Sequence, residues 1–174
     1  MNINETDFYE LCLDEGGPLY ADVYPFDKDK LNQWVRENIE EFITIENYDV
    51  VTPADNIVNQ LNQLGYDHIH QQCHYSAKAA TILNDNFRYY TGFVDRATFP
   101  YPIITHSFNT LNGDVIDLAR ISDPDDPIEN QENSFPHTYY GISIPREFVL
   151  NYEQETLEDK SMNPLLVQWY LENN

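Results

Sequence analysis

The sequence predicts an α+β protein in which helices come first and an antiparallel sheet comes second. Helix signals fill about the first 64 residues, and β-prone runs separated by turn residues dominate much of the remaining chain. Asn112-Gly113 lies between two such runs and is a strong hairpin signal. With 174 residues, the chain is long enough for one cored domain. We predict a single domain over the whole chain, comprising a helical part (about 1–64), a core (about 65–150) and a C-terminal helix (about 161–172).

Three helices are predicted in the N-terminal part, over Asn4–Leu13, Asp27–Ile45 and Thr52–Leu64. Asp27 is a typical capping residue, and the third helix has proline in its first turn and stops at Gly65. The second helix is predicted to be long because one mostly apolar stripe recurs at helical spacing. The residues of that stripe are Leu31, Trp34, Val35, Asn38, Phe42 and Ile43.

Four strands are predicted near Phe87–Val94, Ile103–Leu111, Val115–Ala119 and Tyr139–Ile144, since each segment is rich in β-branched or aromatic residues. The segment Ser122–His137 holds prolines and acids and is predicted to be a loop that forms a rim or lid.

The hairpin brings a histidine and an aspartate together. If Asn-Gly forms the two-residue turn, Leu111 faces Asp114 and the other facing pairs are set by that register. Side chains alternate across a strand, so His106, Phe108 and Asp117 then share one face. His106 and Asp117 become diagonal neighbours, within side-chain reach. A carboxylate so placed fixes the tautomer of an imidazole.

A cysteine is predicted at the start of a helix. Cys73–Asn84 has small, helix-tolerant residues and apolar positions at helical spacing, whereas Tyr66–Gln72 lacks that pattern and is predicted to be a loop. The unpaired N–H groups and the dipole at a helix N-terminus favour a thiolate and lower the pKa of a thiol there. An imidazole beside Cys73 would complete an activated nucleophile.

The order of these residues resembles the papain-like and transglutaminase-like thiol enzymes. The matching positions are Cys73 at a helix start, His106-Ser107-Phe108 on a strand, and Val115-Ile116-Asp117 after a turn. The resemblance covers about Gln71 to Pro145 and implies a papain-like/transglutaminase-like core.

The resemblance implies a role for each residue. Cys73 would be the nucleophile, His106 the general base and acid, and Asp117 the orienting carboxylate. Gln71 or Gln72 would supply an oxyanion donor together with the Cys73 backbone N–H. The implied activity is cysteine-dependent acyl transfer on a peptide bond, a glutamine side chain or a small amide, without a cofactor.

Two positions depart from the pattern of that superfamily. Phe108 stands where the family often has tryptophan, and His74, not an aromatic carbocycle, comes directly after the nucleophile. Both residues are expected to line the site. Packing roles are the alternative interpretation: a lone cysteine is commonly a small buried hydrophobe, and a strand histidine is commonly a hydrogen-bonded packing residue.

No metal site is predicted. His68, His70 and His74 surround Cys73, but no second close Cys/His pair completes the four ligands of structural zinc. Cys12 is predicted to be a core residue, and two cysteines do not make a disulfide framework. The polar N-terminus and the lack of a long apolar run predict a cytoplasmic protein that does not bind membranes.

Charge is unevenly distributed along the chain. The net charge is −21, of which residues 1–60 carry −11, residues 61–120 carry −1 and residues 121–174 carry −9. The acidic flanks would repel a nucleic-acid backbone, so direct nucleic-acid binding is not expected. They favour solubility, or attraction to a basic protein. The alternative function is therefore a non-catalytic acidic protein or inhibitor that occupies the basic groove of a nucleic-acid-binding partner.

Overall fold

The computed structural model describes residues 1–16, 27–45, 59, 73–96, 103–120, 137–155 and 165–174. In chain order the helices and strands are α1 (Phe8–Gly16), α2 (Lys28–Asn38), β1 (Glu40–Ile45), α3 (Cys73–Leu83), β2 (Arg88–Asp95), β3 (Ile103–Leu111), β4 (Asp114–Ile116), a short 3-10 helix (Leu118–Arg120), β5 (His137–Ile144), α4 (Arg146–Glu155) and α5 (Leu166–Asn173). Helices and one antiparallel sheet are both present, so the predicted α+β class is confirmed.

Within the described residues the sheet has five strands in the order β1-β5-β2-β3-β4, and every neighbouring pair is antiparallel. The β3–β4 hairpin has the predicted register, in which Leu111 pairs with Asp114 and Asn109 with Ile116. Both turn residues have positive φ, 56° at Asn112 and 97° at Gly113, as a two-residue turn that suits strand twist requires.

The hairpin's second strand is shorter than predicted. β4 ends at Ile116, and a 3-10 helix occupies Leu118–Arg120, so the predicted strand over Val115–Ala119 is wrong beyond Ile116. The cause is local: Oδ1 of Asp117 accepts a hydrogen bond from the backbone N–H of Ala119. Such a side-chain bond to the backbone two residues on turns the chain away from the ladder.

The predicted helix over Asp27–Ile45 is also wrong in its second half. Asp27 does cap α2, accepting from the backbone N–H groups of Asp29 and Lys30, but the helix ends at Asn38. The chain continues as strand β1, which pairs with β5. The run Ile43-Thr44-Ile45 is β-branched and suits a strand, and this tertiary pairing overrides the helical stripe.

Further differences lie nearer the C-terminus. The sequence does not predict helix α4, which begins after Pro145; the Pro145 carbonyl accepts from the N–H groups of Phe148 and Val149. Helix α5 begins at Leu166, later than the predicted 161. The predicted helix over Thr52–Leu64 lies outside the described residues apart from Asn59, and the predicted loop over Ser122–His137 lies outside them apart from His137.

The two faces of the sheet carry different cores. On one face, α1, α2 and α5 bury apolar side chains against Tyr89, Phe93 and Tyr140 in a single cluster. Cys12 belongs to this cluster, as predicted. The other face carries a mainly aromatic cluster with Phe42 of β1 packed on it; its buried members are Tyr90, Val94, Phe108 and Tyr139. None of the described helices has the length and apolar character needed to cross a membrane.

Candidate functional site

His106 lies near the middle of β3, and its neighbours across the sheet are two glycines. It pairs with Gly92 of β2, which in turn pairs with Gly141 of β5. A Cβ atom at Gly92 would lie 2.3 Å from the backbone carbonyl oxygen of Tyr140, and one at Gly141 would lie 2.8 Å from the Phe108 ring. Gly141 therefore leaves space for the Phe108 ring, and Gly92 allows the backbone of β5 to approach closely.

His106, Asp117 and Tyr139 form one hydrogen-bonded group. His106 Nε2 lies 2.7 Å from Asp117 Oδ2, and the Tyr139 hydroxyl donates to the same oxygen at 2.8 Å. All three side chains are buried, and the Tyr139 ring centroid lies 5.9 Å from that of His106. Asp117 is thus fixed by two donors and a backbone amide, and it orients the imidazole.

Cys73 is the first residue of α3, and its side chain is half-buried. It is hydrogen-bonded to both His106 and His74. Burial alone would raise the pKa of the Cys73 thiol, but the charges of His106 and His74, together with both hydrogen bonds, lower this pKa to about 5. A thiolate is then the main form of Cys73 at neutral pH.

The electrostatics of His106 complement those of Cys73. Burial alone would lower the pKa of His106, but the charges of Asp117 and Cys73 and the hydrogen bonds to both raise it well above its ordinary value. Nε2 is taken by Asp117, which leaves Nδ1 for the sulfur. The arrangement favours a thiolate–imidazolium pair whose cation is held by a carboxylate.

His74 belongs to a second hydrogen-bonded group. Its Nδ1 lies 2.7 Å from Ser107 Oγ, which lies 2.9 Å from the hydroxyl of Tyr89. Ser107 comes directly after His106 on β3, so the two side chains point to opposite faces of the sheet. Cys73 and His74 therefore meet β3 from both sides, at a point where β4 no longer pairs with it.

Phe108 forms part of the wall behind the histidine. It is 1% exposed, stacks on Tyr90 with ring centroids 5.4 Å apart, and packs edge-on against Phe42 and Tyr139. Phe108 lies on the same face of the sheet as His106, as the alternation of side chains along β3 predicts. Such burial suits support of the imidazole better than contact with a substrate.

The structure thus brings Cys73, His106, Asp117 and His74 together, with Phe108 beside them. Gln71 and Gln72 lie outside the described residues, so the oxyanion role suggested for them stays a prediction. Sequence reasoning misses Tyr139, Ser107 and Tyr89. Ser107 is adjacent to His106, but no sequence signal connects either tyrosine to these residues before the strand order is known.

The described part of the chain contains no group of three or more His, Cys, Asp and Glu side chains able to hold a metal ion. His68 and His70, near Cys73 in the sequence, lie outside that part. The expectation of a metal-free, cofactor-free site therefore stays a prediction.

Comparison with known proteins finds no match to this chain among family models, curated proteins or solved structures.

Proposed function

We propose that this protein is a cysteine-dependent acyl-transfer enzyme of the papain-like or transglutaminase-like kind, acting on an amide or peptide bond. The observation that carries the proposal is the continuous contact from Cys73 through His106 to Asp117. A nucleophile, a base within hydrogen-bond reach and a third group that orients the base are the parts that covalent acyl transfer requires.

The reaction assigns one task to each side chain. The Cys73 thiolate attacks the carbonyl carbon and forms a C–S bond, and collapse of the tetrahedral intermediate breaks the C–N bond. The His106 imidazolium gives its proton to the departing nitrogen. Neutral His106 then takes a proton from water, or from an acceptor amine, as that nucleophile attacks the thioester and the C–S bond breaks. The thiolate and the imidazolium are restored.

The environment of the pair suits this sequence of proton transfers. Asp117 is 1% exposed and stabilises the imidazolium without open access to water. Cys73 is half-buried as a residue, in contrast to the buried Cys12. Cys12 is buried in the core cluster that α1, α2 and α5 form on the sheet.

The test uses an activated ester, p-nitrophenyl acetate, as an acyl donor with the full chain. Intact-mass measurement should show one acetyl group, and proteolytic mapping should place it on Cys73. Cys73→Ser should abolish the adduct and His106→Ala should slow its formation by about 100-fold or more, whereas Cys12→Ser should react like the wild type. Acetylation that is unchanged in both Cys73→Ser and His106→Ala would overturn the proposal.

The charge distribution favours a second candidate, a non-catalytic protein that binds a basic partner. Its observation is the net charge of −11 and −9 in the flanks against −1 in the middle. Such binding should weaken steeply with salt because screening shortens to about 8 Å near physiological ionic strength. A basic model protein, lysozyme, can be titrated at low and high salt. This candidate is supported if neutralising the acids in residues 27–45 abolishes the binding and Cys73→Ser retains it. Binding that does not depend on salt rejects the candidate.

A further inference from the structure

The side chain directly after the nucleophile is not accounted for by a three-residue mechanism. His74 is buried at 4% exposure, yet it is titratable and hydrogen-bonded to Cys73. A buried imidazole is costly unless its nitrogens are satisfied. Here Ser107 satisfies Nδ1 at 2.7 Å, so the ring has a fixed orientation.

The support for His74 extends across the sheet. Ser107 Oγ is 2.9 Å from the hydroxyl of Tyr89, and the backbone of Leu165, which precedes α5, is hydrogen-bonded to Tyr89 as well. Burial raises the pKa of Tyr89 well above its ordinary value, so its hydroxyl remains protonated and can donate. A connected series of hydrogen bonds therefore runs from the beginning of α5 to the beginning of α3.

We propose that Cys73 is served by two imidazoles: His74 stabilises the thiolate from the opposite face of β3 to His106, while Ser107 and Tyr89 position His74. This inference rests on the proposed function, because it assigns the second histidine a role in the same thiol chemistry. It goes beyond the triad because the hydrogen bonds of Ser107 to His74 and Tyr89 form a group separate from that of Asp117.

The second imidazole has a task that His106 cannot perform alone. During breakdown of the thioester, His106 removes the proton of the attacking nucleophile while the sulfur leaves as an anion. An N–H of His74 directed at the sulfur stabilises that leaving charge independently of the proton on His106. Loss of His74 should therefore slow release of the acyl group as well as formation of the thiolate.

The groups that act on Cys73 and His74 come from β3, from β2, from β5 and from the residue that follows β4. His106 acts from β3, Asp117 acts through His106 from the end of the hairpin, and Tyr89 acts through Ser107 from β2. Tyr139 of β5 donates a hydrogen bond to Asp117, and its ring centroid lies 5.9 Å from that of His106. A change confined to Ser107 or His74 should thus alter the thiolate while leaving the His106–Asp117 contact in place.

The experiment measures the rate of Cys73 carbamidomethylation by iodoacetamide against pH in a Cys12→Ser background. The titration midpoint should rise in His74→Ala and in Ser107→Ala. A rise from about 5 to about 6 should lower the rate at pH 6 by about twofold, and the loss should approach about tenfold for each further unit of rise. The Cys73 midpoint in His106→Ala should stay below the midpoint in the double variant that lacks both His74 and His106, because His74 still stabilises the thiolate in the single variant. The matched control is Thr105→Val. Thr105 is buried on the same face of β3 as Ser107, and its Oγ1 has no hydrogen-bond partner in the described part of the chain.

The outcomes separate the two proposals. If folded His74→Ala and Ser107→Ala both titrate like the wild type, the second-imidazole inference is overturned, whatever the acetylation test shows. If His74→Ala does not fold, Ser107→Ala decides: an unchanged midpoint overturns the inference and a raised midpoint supports it. A raised midpoint in a protein that forms no acetyl adduct would reject the acyl-transfer function and leave the two-imidazole arrangement supported.

Discussion

His106 Nε2 and Asp117 Oδ2 lie 2.7 Å apart in a buried environment, at the end of a hairpin that their own segment of sequence encodes. The contact is made just after β4 stops, so the carboxylate is turned toward β3 instead of continuing the ladder. This single hydrogen bond determines which imidazole nitrogen remains for Cys73.

Replacing Asp117 with asparagine should weaken the thiolate. The negative charge of Asp117 helps to raise the pKa of His106, and an amide of the same size cannot do so. We expect Cys73 labelling by iodoacetamide at neutral pH to slow by about tenfold or more. The control is Asp114→Asn, an exposed acid on the same hairpin. Equal rates for both variants would argue against a charge role for Asp117.

The two cysteines should differ widely in reactivity. Because the pKa of Cys73 is lowered to about 5, its labelling rate should be nearly constant from about pH 6 to 9 and should fall on acidification through about pH 5. Cys12, buried in the core, should react only after denaturation. Peptide mapping after timed iodoacetamide pulses measures both rates. A Cys73 rate that rises tenfold per pH unit across that interval would show an ordinary thiol.

The same pair should make stability depend on pH. The folded pKa of Cys73 is about 5 against an ordinary 9.0, so its contribution is fully present above about pH 9 and is lost as pH falls through 5. The pKa of His106 is raised, so its contribution is fully present below about pH 6.5 and is lost as pH rises through the folded value. While folded His106 stays protonated, the Cys73 and His106 contributions to the pH dependence of stability cancel between about pH 6.5 and 9. In that interval the pair holds one proton in the folded state, on His106, and one in the unfolded state, on Cys73.

Urea unfolding of the wild type and Cys73→Ser measures the contribution of the thiol together with its effect on His106. The wild type should gain free energy of unfolding over the variant between about pH 5 and 9, by up to about 1.4 kcal/mol per pH unit. A difference that is independent of pH over that interval would contradict a lowered pKa at Cys73.

Tyr139 should matter through its hydroxyl group. Tyr139→Phe removes the donor to Asp117 Oδ2 and keeps the ring that packs beside His106. Hydrogen bonds to charged groups contribute about 1.5–3 kcal/mol, so acetylation of Cys73 should slow by about tenfold. Tyr90→Phe, in the same aromatic cluster, is the matched control. Should both variants retain the wild-type rate, the Tyr139 contact has no positioning role.

Gly92 should tolerate no side chain. A Cβ atom there would lie 2.3 Å from a backbone oxygen of β5, and backbone cannot move aside as a flexible side chain can. We expect Gly92→Ala to cost about 1–3 kcal/mol of stability in urea unfolding and to slow Cys73 labelling, because Gly92 pairs with His106. Gly113→Ala has open space and is strained only by its positive φ, so it should not affect labelling. A wild-type-like Gly92→Ala would disprove the steric argument.

The sequence by itself determined the local parts of this site. An Asn-Gly turn fixes the register of a hairpin over a few residues, so the shared face of His106 and Phe108 and the proximity of Asp117 depend on residues close along the chain. The position of Cys73 at the first residue of α3 depends on short-range helix signals in the same way. These features can therefore be predicted from residues that are close together in the sequence.

Only the tertiary structure decided the contacts between distant segments. The stripe through Phe42 fits a helix by spacing, yet pairing with β5 makes that segment a strand, and its ring packs on Phe108. Tyr139 reaches Asp117 because β5 lies next to β2 in the sheet, an order that no local pattern encodes. His74 and Ser107 meet because α3 begins next to the part of β3 that pairs with β2 but no longer with β4. Contacts between segments far apart in sequence depend on how the whole chain packs, so local propensity could not predict them.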